Sequence, residues 1–491
     1  MTATSNYILA LDLGTTGNRA ILFDREGKVV SQAYQELTQH YPQPGWLEHD
    51  ALEIWQDVST CIQEAVSKVN AAEIAAIGLT VQRETCLLWD KTTGQPLHKA
   101  IVWQDRRTAA MCDRLKAAGK AELIQQKTGL ILDAYFSATK LAWLIDWVKA
   151  NKPDTNWDNV IAGTVDSWLL WNLTGGNVHA TDSSNASRTM LMNLETGNWD
   201  QELLDLFGIP EAIMPTIKPS MGLFGNAKIL DREIPVTAIF GDQQAALFAH
   251  GCDRPGLLKC TYGTGCFLVA QAGTTIAKST QQLLSTVAWS KDNQTNYALE
   301  GAIFTSGACI QWLRDGIGLI QNPGETETLA ELVTDSNGVF FIPALSGLGA
   351  PHWNMNARGA FLGITGGVTK AHMVRAVLEA IAYQVKEVIE AVNQDCQQPV
   401  SLLKVDGGVA KNDFLMQFQA DALGIPVERP QILDATAQGA AFGAGLAVGF
   451  WSDYGELIAN RAIDCTFEPG EGQAYAQANF APWSAALKRV L

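Results

Sequence analysis

The nine cysteines form no Cys-x-x-Cys pair and the seven histidines are equally scattered, so the spacing of a structural zinc site is missing. An odd, unpatterned set of thiols suits a reducing compartment, and a cytoplasmic protein is expected. Lysine and arginine build no basic run, and the formal net charge is −16. Nucleic acid and anionic membrane surfaces both require a basic footprint, so neither is expected as a partner. A phosphorylated small molecule, which one or two local cations can hold, stays open. No Gly-x-x-x-x-Gly-Lys-Ser/Thr loop occurs and no Gly-x-Gly-x-x-Gly follows a strand, which sets aside the P-loop and Rossmann routes to a nucleotide. The first six residues are short and polar with a strand directly after them, leaving no room for a signal peptide. The Ala- and Gly-rich stretch 435–451 is slightly short for a membrane span and lacks basic flanks. It reads as a buried helix whose glycines at 439, 443, 445 and 449 allow close packing, and no membrane insertion is expected.

What is present points to a folded enzyme. The chain has 491 residues, more than one hydrophobic core usually covers, and its 47% hydrophobic and 18% charged content is that of a globular protein. A helical stripe at Leu52, Trp55, Val58, Ile62, Ala65 and Val69, opened by Asp50 as N-cap, predicts a helix over 51–69. Strands are expected at 74–80, 86–89, 100–103 and 235–240, and helices over 137–148 and 373–392. This alternation implies a layered α/β architecture.

Two segments share an unusual device. "LALDLGTTGNRAILFD" (9–24) is strand, glycine-threonine turn, strand, and "LLKCTYGTGCFLVAQ" (257–271) repeats it. The first turn gathers Thr15, Thr16 and Arg19 at its tip with Asp12 at the end of the incoming strand. Hydroxyls, backbone N–H groups, a cation and a carboxylate together suit a metal-bound phosphate, although the turn taken alone fits an ordinary hairpin equally well. Its recurrence suggests two halves, 1–250 and 251–491, facing each other across a cleft. The segment 250–256 has the composition of a linker.

A set of ordered motifs then carries a resemblance: "VQRET" (81–85), "IVWQDRRTA" (101–109), "AYFSATK" (134–140), "GTVDSWLLWNLTGG" (163–176), "TDSSNASRTML" (181–191), "GDQQAALF" (241–248), "TYGTGCF" (261–267) and "GLGAPHW" (347–353). Over essentially its whole length the chain resembles the FGGY carbohydrate kinases, and among them those that phosphorylate glycerol. The resemblance implies two ribonuclease H-like domains of the actin and hexokinase type with the catalytic cleft between them. It implies ATP and Mg²⁺ as cofactors, glycerol as substrate and sn-glycerol 3-phosphate as product, and it leaves room for a homo-oligomer. It assigns polyol recognition to Arg83, Glu84, Trp103, Tyr135, Asp242, Gln243 and Phe267. A small triol needs several hydrogen bonds and an apolar wall, which this set can supply. The adjacent Arg83–Glu84 pair would keep local charge near zero for a neutral substrate. Asp242 is implied as the general base, a role compatible with capping the helix that follows. Asp12 and Asp242 are implied to hold Mg²⁺, Thr15, Thr16, Gly17, Arg19 and Thr264 the ATP phosphates, and Gly307, Gln311, Gly408 and Asn412 the nucleoside. The alternative substrates within the family are a tetritol, dihydroxyacetone or a pentulose. The stretch 224–236 lacks the glycine-rich, arginine-bearing loop of members inhibited by fructose 1,6-bisphosphate. Gly17-Asn18 stands where the family often has two small hydroxyl residues, which leaves the backbone as donor there.

Overall fold

The computed structural model describes residues 5–396, 398–459 and 461–491. Both halves are built on one plan. In the first, β1 (Tyr7–Leu13), β2 (Gly17–Phe23) and β3 (Val29–Glu36) form an antiparallel meander. Next come β4 (Ile74–Val81), β5 (Met221–Ile229) and β6 (Arg232–Gly241). Here β4 lies parallel to β1, β6 parallel to β4, and β5 antiparallel to β6. The second half repeats the plan with β7 (Leu257–Tyr262), β8 (Cys266–Gly273), β9 (Leu284–Lys291), β10 (Gln294–Ile303), β11 (Leu402–Asp406) and β12 (Val427–Pro430), and β13 (Ile463–Phe467) closes the edge. The order β3-β2-β1-β4-β6 is matched by β10-β8-β7-β11-β12, and the single bridge Met221–Lys291 between β5 and β9 joins the halves into one 13-stranded sheet. Strands β1 and β4 are apolar on both faces because helices cover both sides, as parallel sheets require.

Helix α1 (Ala51–Val66) starts where Asp50 accepts a hydrogen bond from Leu52 N–H, and it buries Ile54, Val58, Ile62 and Ala65. It stops three residues before the predicted end because Ser67 N–H turns back to Glu64 O. Helix α2 (Ser137–Asn151) lies behind a small antiparallel sheet made of Glu48–His49, Ala100–Ile101, Cys86–Asp90 and Val160–Thr164. The strand expected over 100–103 ends at Ile101, since Val102 N–H pairs with Leu47 O and Trp103 N–H with the Thr85 hydroxyl. Helix α3 (Asp242–Ala249) follows β6 directly. In the second half α4 (Lys370–Asp395) runs longer than the 373–392 stripe, and α5 (Asp413–Leu423) follows β11 and a 3₁₀ turn.

The small-residue stretch forms α6 (Ala435–Ala447), and 448–451 lie beyond its end. It packs on α3, β4 and β1, all of the first half. The approach is so close that a Cβ on Gly439 would lie 1.9 Å from Ala245 O, and one on Gly78 would lie 2.1 Å from Ala440 O. Among the described residues no helix is long and apolar enough to cross a membrane. Segment 250–256 is not the open linker its composition suggests. His250 and Cys252 are buried, and His250 Nε2 lies 2.8 Å from Asp406 Oδ2, tying the crossover to β11.

Candidate active site

Between the halves, at the carboxyl ends of β4 and β6, lies a cluster of buried charge. Arg83 meets Glu300 of β10 in two contacts of 2.5 and 2.9 Å. Its remaining Nη protons go to Gln244 Oε1 at 3.2 Å and the Tyr135 hydroxyl at 3.4 Å, and its Nε ion-pairs with Asp242 Oδ1 at 3.2 Å. Glu84 is held by Arg188, whose Nε donates to Glu84 Oε1 at 2.7 Å, and Arg188 also donates to Glu300 at 3.1 Å. The expected Arg83–Glu84 pair is therefore a four-residue network, and Arg83 and Glu84 themselves stand 3.9 Å apart. Burial works against the Glu300 charge, yet Arg188 and Arg83 together hold its carboxyl down at about 2. Burial raises the Glu84 carboxyl above its usual range despite both arginines.

Around this cluster stand groups with unspent hydrogen-bonding capacity. Tyr135 accepts from Arg83, so its own O–H remains for a ligand. Gln243 Oε1 accepts from the buried Lys259 ammonium, which fixes the amide and leaves its NH₂ as donor. Asp242 is the first residue of α3 rather than its cap, because Gly241 takes the cap position. Arg83 and the Gln243 N–H both address Asp242 Oδ1. An aromatic wall closes the other side: Trp103 meets Tyr135 edge-on at 5.5 Å and Phe267 at 6.1 Å.

Trp103 also touches the first turn, its indole N–H donating to the Thr15 hydroxyl at 2.9 Å. Arg19 leaves the turn to pair with Asp434 at 2.7 Å and lies over Tyr34. Asp12 is buried beside it, accepting from the Thr436 hydroxyl at 2.9 Å. Burial chiefly raises the Asp12 carboxyl to about 6, against the pull of Arg19, and the Asp242 charge adds to the rise. Two neighbouring carboxylates, Asp12 and Asp242, are a donor set that fits Mg²⁺, which takes one or two carboxylates and completes its shell with phosphates and water.

The second turn opens on a separate cavity of about 550 Å³ lined by Thr264, Gly307, Gln311, Gly408 and Asn412, with Arg314, Thr326 and Glu327. All five nucleoside and phosphate candidates of the second half thus come together. The Asn412 side chain is already occupied, capping α5 at Leu415 N–H and donating to Thr326. What sequence reasoning missed is Arg188, Gln244, Lys259, Glu300 and Thr436. Arg188 lay inside a quoted motif without a role. Glu300 was visible only as a lone carboxylate in the apolar run "YALEGAIF".

Residues 7–249 match the N-terminal domain of the FGGY family of carbohydrate kinases, and residues 258–448 match its C-terminal domain. A protein of Rippkaea orientalis named glycerol kinase is 69% identical over 490 residues, covering 99% of this chain and 98% of its own. Glycerol kinase 2 of Thermotoga maritima is 51% identical, covering 99% of each chain. The crystal structure of Plasmodium falciparum glycerol kinase with ADP superposes with a TM-score of 0.92 at 34% identity, covering 99% of both chains. The two family models together span most of the chain and the superposition spans 99% of it, and the chain belongs to the FGGY family of carbohydrate kinases.

Proposed function

We infer that this protein transfers the γ-phosphoryl group of ATP to a terminal hydroxyl of glycerol, giving sn-glycerol 3-phosphate and ADP. The observation that carries the reading is the hydrogen bond between the Trp103 indole and the Thr15 hydroxyl, which sets a small polyol pocket directly against the first turn. High identity to proteins named glycerol kinase across the whole chain supports it.

In this reading glycerol lies with its C–H edge on Trp103 and Phe267 and its hydroxyls toward Tyr135, Gln243, Glu84 and Asp242. Both Arg83 Nη groups are engaged by Glu300, Gln244 and Tyr135, whereas its Nε, ion-paired with Asp242 at 3.2 Å, keeps an N–H that can address a polyol hydroxyl beside that carboxylate. Asp242 accepts the proton of the attacking hydroxyl as the O–P bond forms and the bond to ADP breaks. Thr15, Thr16, Gly17 and Arg19 hold the phosphates from one side and Thr264 from the other, while Gly307, Gln311, Gly408 and Asn412 flank the nucleoside. Mg²⁺, held through Asp12 and Asp242, would neutralise charge on the transferring group. Division of labour between 1–250 and 251–491 follows, with the polyol site mainly in the first half and the nucleoside in the second. Nine free cysteines, seven of them buried, support a cytoplasmic setting. A coupled assay of ADP release across glycerol, dihydroxyacetone, erythritol and xylulose tests the substrate. Glycerol is expected to give the highest kcat/KM, and a pentulose or tetritol exceeding it would overturn the assignment.

A further inference from the structure

The carbonyls of the first turn are held back by the protein one after another. Gln82 N–H donates to Leu13 O at 2.7 Å, and Leu37 N–H donates to Thr16 O at 3.0 Å. The two between them are taken by side-chain amides: Gln82 Nε2 donates to Gly14 O at 3.3 Å and Gln39 Nε2 to Thr15 O at 2.8 Å. These amides are joined through His49. Gln82 Nε2 spends its second proton on His49 Nδ1 at 3.2 Å, and His49 Nε2 donates to Gln39 Oε1 at 2.9 Å. Both amide orientations are fixed from outside as well. Thr85 O–H donates to Gln82 Oε1 at 3.1 Å, and Gln39 Nε2 spends its other proton on Leu37 O at 3.0 Å. The pattern closes only with a neutral imidazole carrying its proton on Nε2, because a proton on Nδ1 would confront the Gln82 NH₂. His49 is fully buried, and burial, helped by His40, pulls it down to about 4.

We propose that His49 is a positioning residue for phosphoryl transfer, locking Gln39 and Gln82 in the amide orientation that draws the turn's carbonyls away and leaves the Thr15 and Thr16 N–H groups for the ATP phosphates. Flipping either amide would set an oxygen against a carbonyl oxygen and force the turn to move. The second turn needs no such side chains: Ser306 and Ala308 N–H hold Thr264 O, and Gly307 N–H holds Gly263 O, all through backbone. The proposal rests on the first turn binding phosphate.

The test compares full-length His49→Leu, His49→Gln, Gln39→Leu and Arg19→Leu, measuring kcat and the KM values for ATP and glycerol in the coupled ADP assay. His49→Leu and Gln39→Leu are expected to raise the ATP KM about tenfold, the effect of one lost buried hydrogen bond, with the glycerol KM within about twofold of the parent. His49→Gln is expected to recover most of the loss, since a glutamine offers an acceptor to Gln82 and a donor to Gln39. Equal rises in both KM values, or no rescue by glutamine, would overturn the proposal. Should His49→Leu fail to fold, Gln39→Leu decides: an unchanged ATP KM there overturns the role of the clamp. Arg19→Leu separates the premise from the proposal. A raised ATP KM in Arg19→Leu alone overturns only the His49 role, and no rise in any variant overturns phosphate binding by this turn.

Discussion

Replacing Glu300 with glutamine would take one negative charge from a cluster in which two guanidinium groups, Arg83 and Arg188, face two carboxylates, Glu84 and Glu300, with side chains at most 2% exposed. The substitution keeps volume and one acceptor but leaves two buried cations against Glu84, with the half-exposed Asp242 the nearest further anion. Breaking a buried pair from one side costs about 3–5 kcal/mol, and the retained acceptor puts this case near the lower end. At about 2–4 °C per kcal/mol for a unit of this size, the melting temperature should fall by roughly 6–12 °C. Function should suffer too, because an under-neutralised Arg83 will lean on Asp242, making the carboxylate a poorer proton acceptor; kcat should fall by about tenfold or more. Thermal unfolding and steady-state kinetics on Glu300→Gln give the readouts. Arg188→Met combined with Glu300→Gln supplies the control, since removing a cation restores charge balance and should return part of the lost stability. A melting temperature within a degree of the parent, or strictly additive single and double variants, would refute the argument that these four groups act as one unit.

Three further outcomes follow from the same structure. Asp242→Asn should lower kcat by roughly two to four orders of magnitude with a smaller effect on glycerol affinity, as the coupled assay would show. His49 is expected to make the fold acid-sensitive: its ordinary value of 6.5 falls to about 4 in the folded protein, so the unfolded chain takes up the proton first. Its contribution is complete above pH 6.5 and is lost as the pH drops toward 4, worth at most about 3 kcal/mol, and His49→Gln should flatten the denaturation midpoint against pH over that window. Fructose 1,6-bisphosphate at millimolar concentration should leave initial rates unchanged, because Lys228 stands across from Glu233 on the β5–β6 hairpin and Arg232 sits between Asp231 and Glu233, offering no converging cations.

The parts of this molecule that the sequence made legible are those written locally. The first turn could be read because two apolar runs flank Gly14 to Gly17, and α6 because small residues recur at helical spacing. The polyol candidates could be named only through ordered motifs, and the structure does gather them around one wall. What stayed hidden depends on partners far apart in the chain. Arg83 and Glu300 are separated by 217 residues, and nothing near either announces the other. His250 looked like linker because glycine and proline surround it, whereas Asp406, 156 residues on, buries it. Asp242 could be placed at a strand-to-helix junction, but which residue caps the helix depended on one peptide, and Gly241 took the cap.

Helix α6 belongs by sequence to the second half, yet its Ala437, Ala440 and Phe442 complete a core with Ile8, Ala10, Ala76, Phe240 and Leu247 of the first. Through Thr436 it also steadies Asp12. Synthesis therefore runs ahead of assembly. A ribosome that has released the first 250 residues has made a sheet whose α6-facing side is covered only in part, by α3, and the rest stays uncovered until 435–447 have been made. Until that helix is made, the amino-terminal half leaves part of its apolar surface open to water, a surface of the kind that holdase chaperones shield.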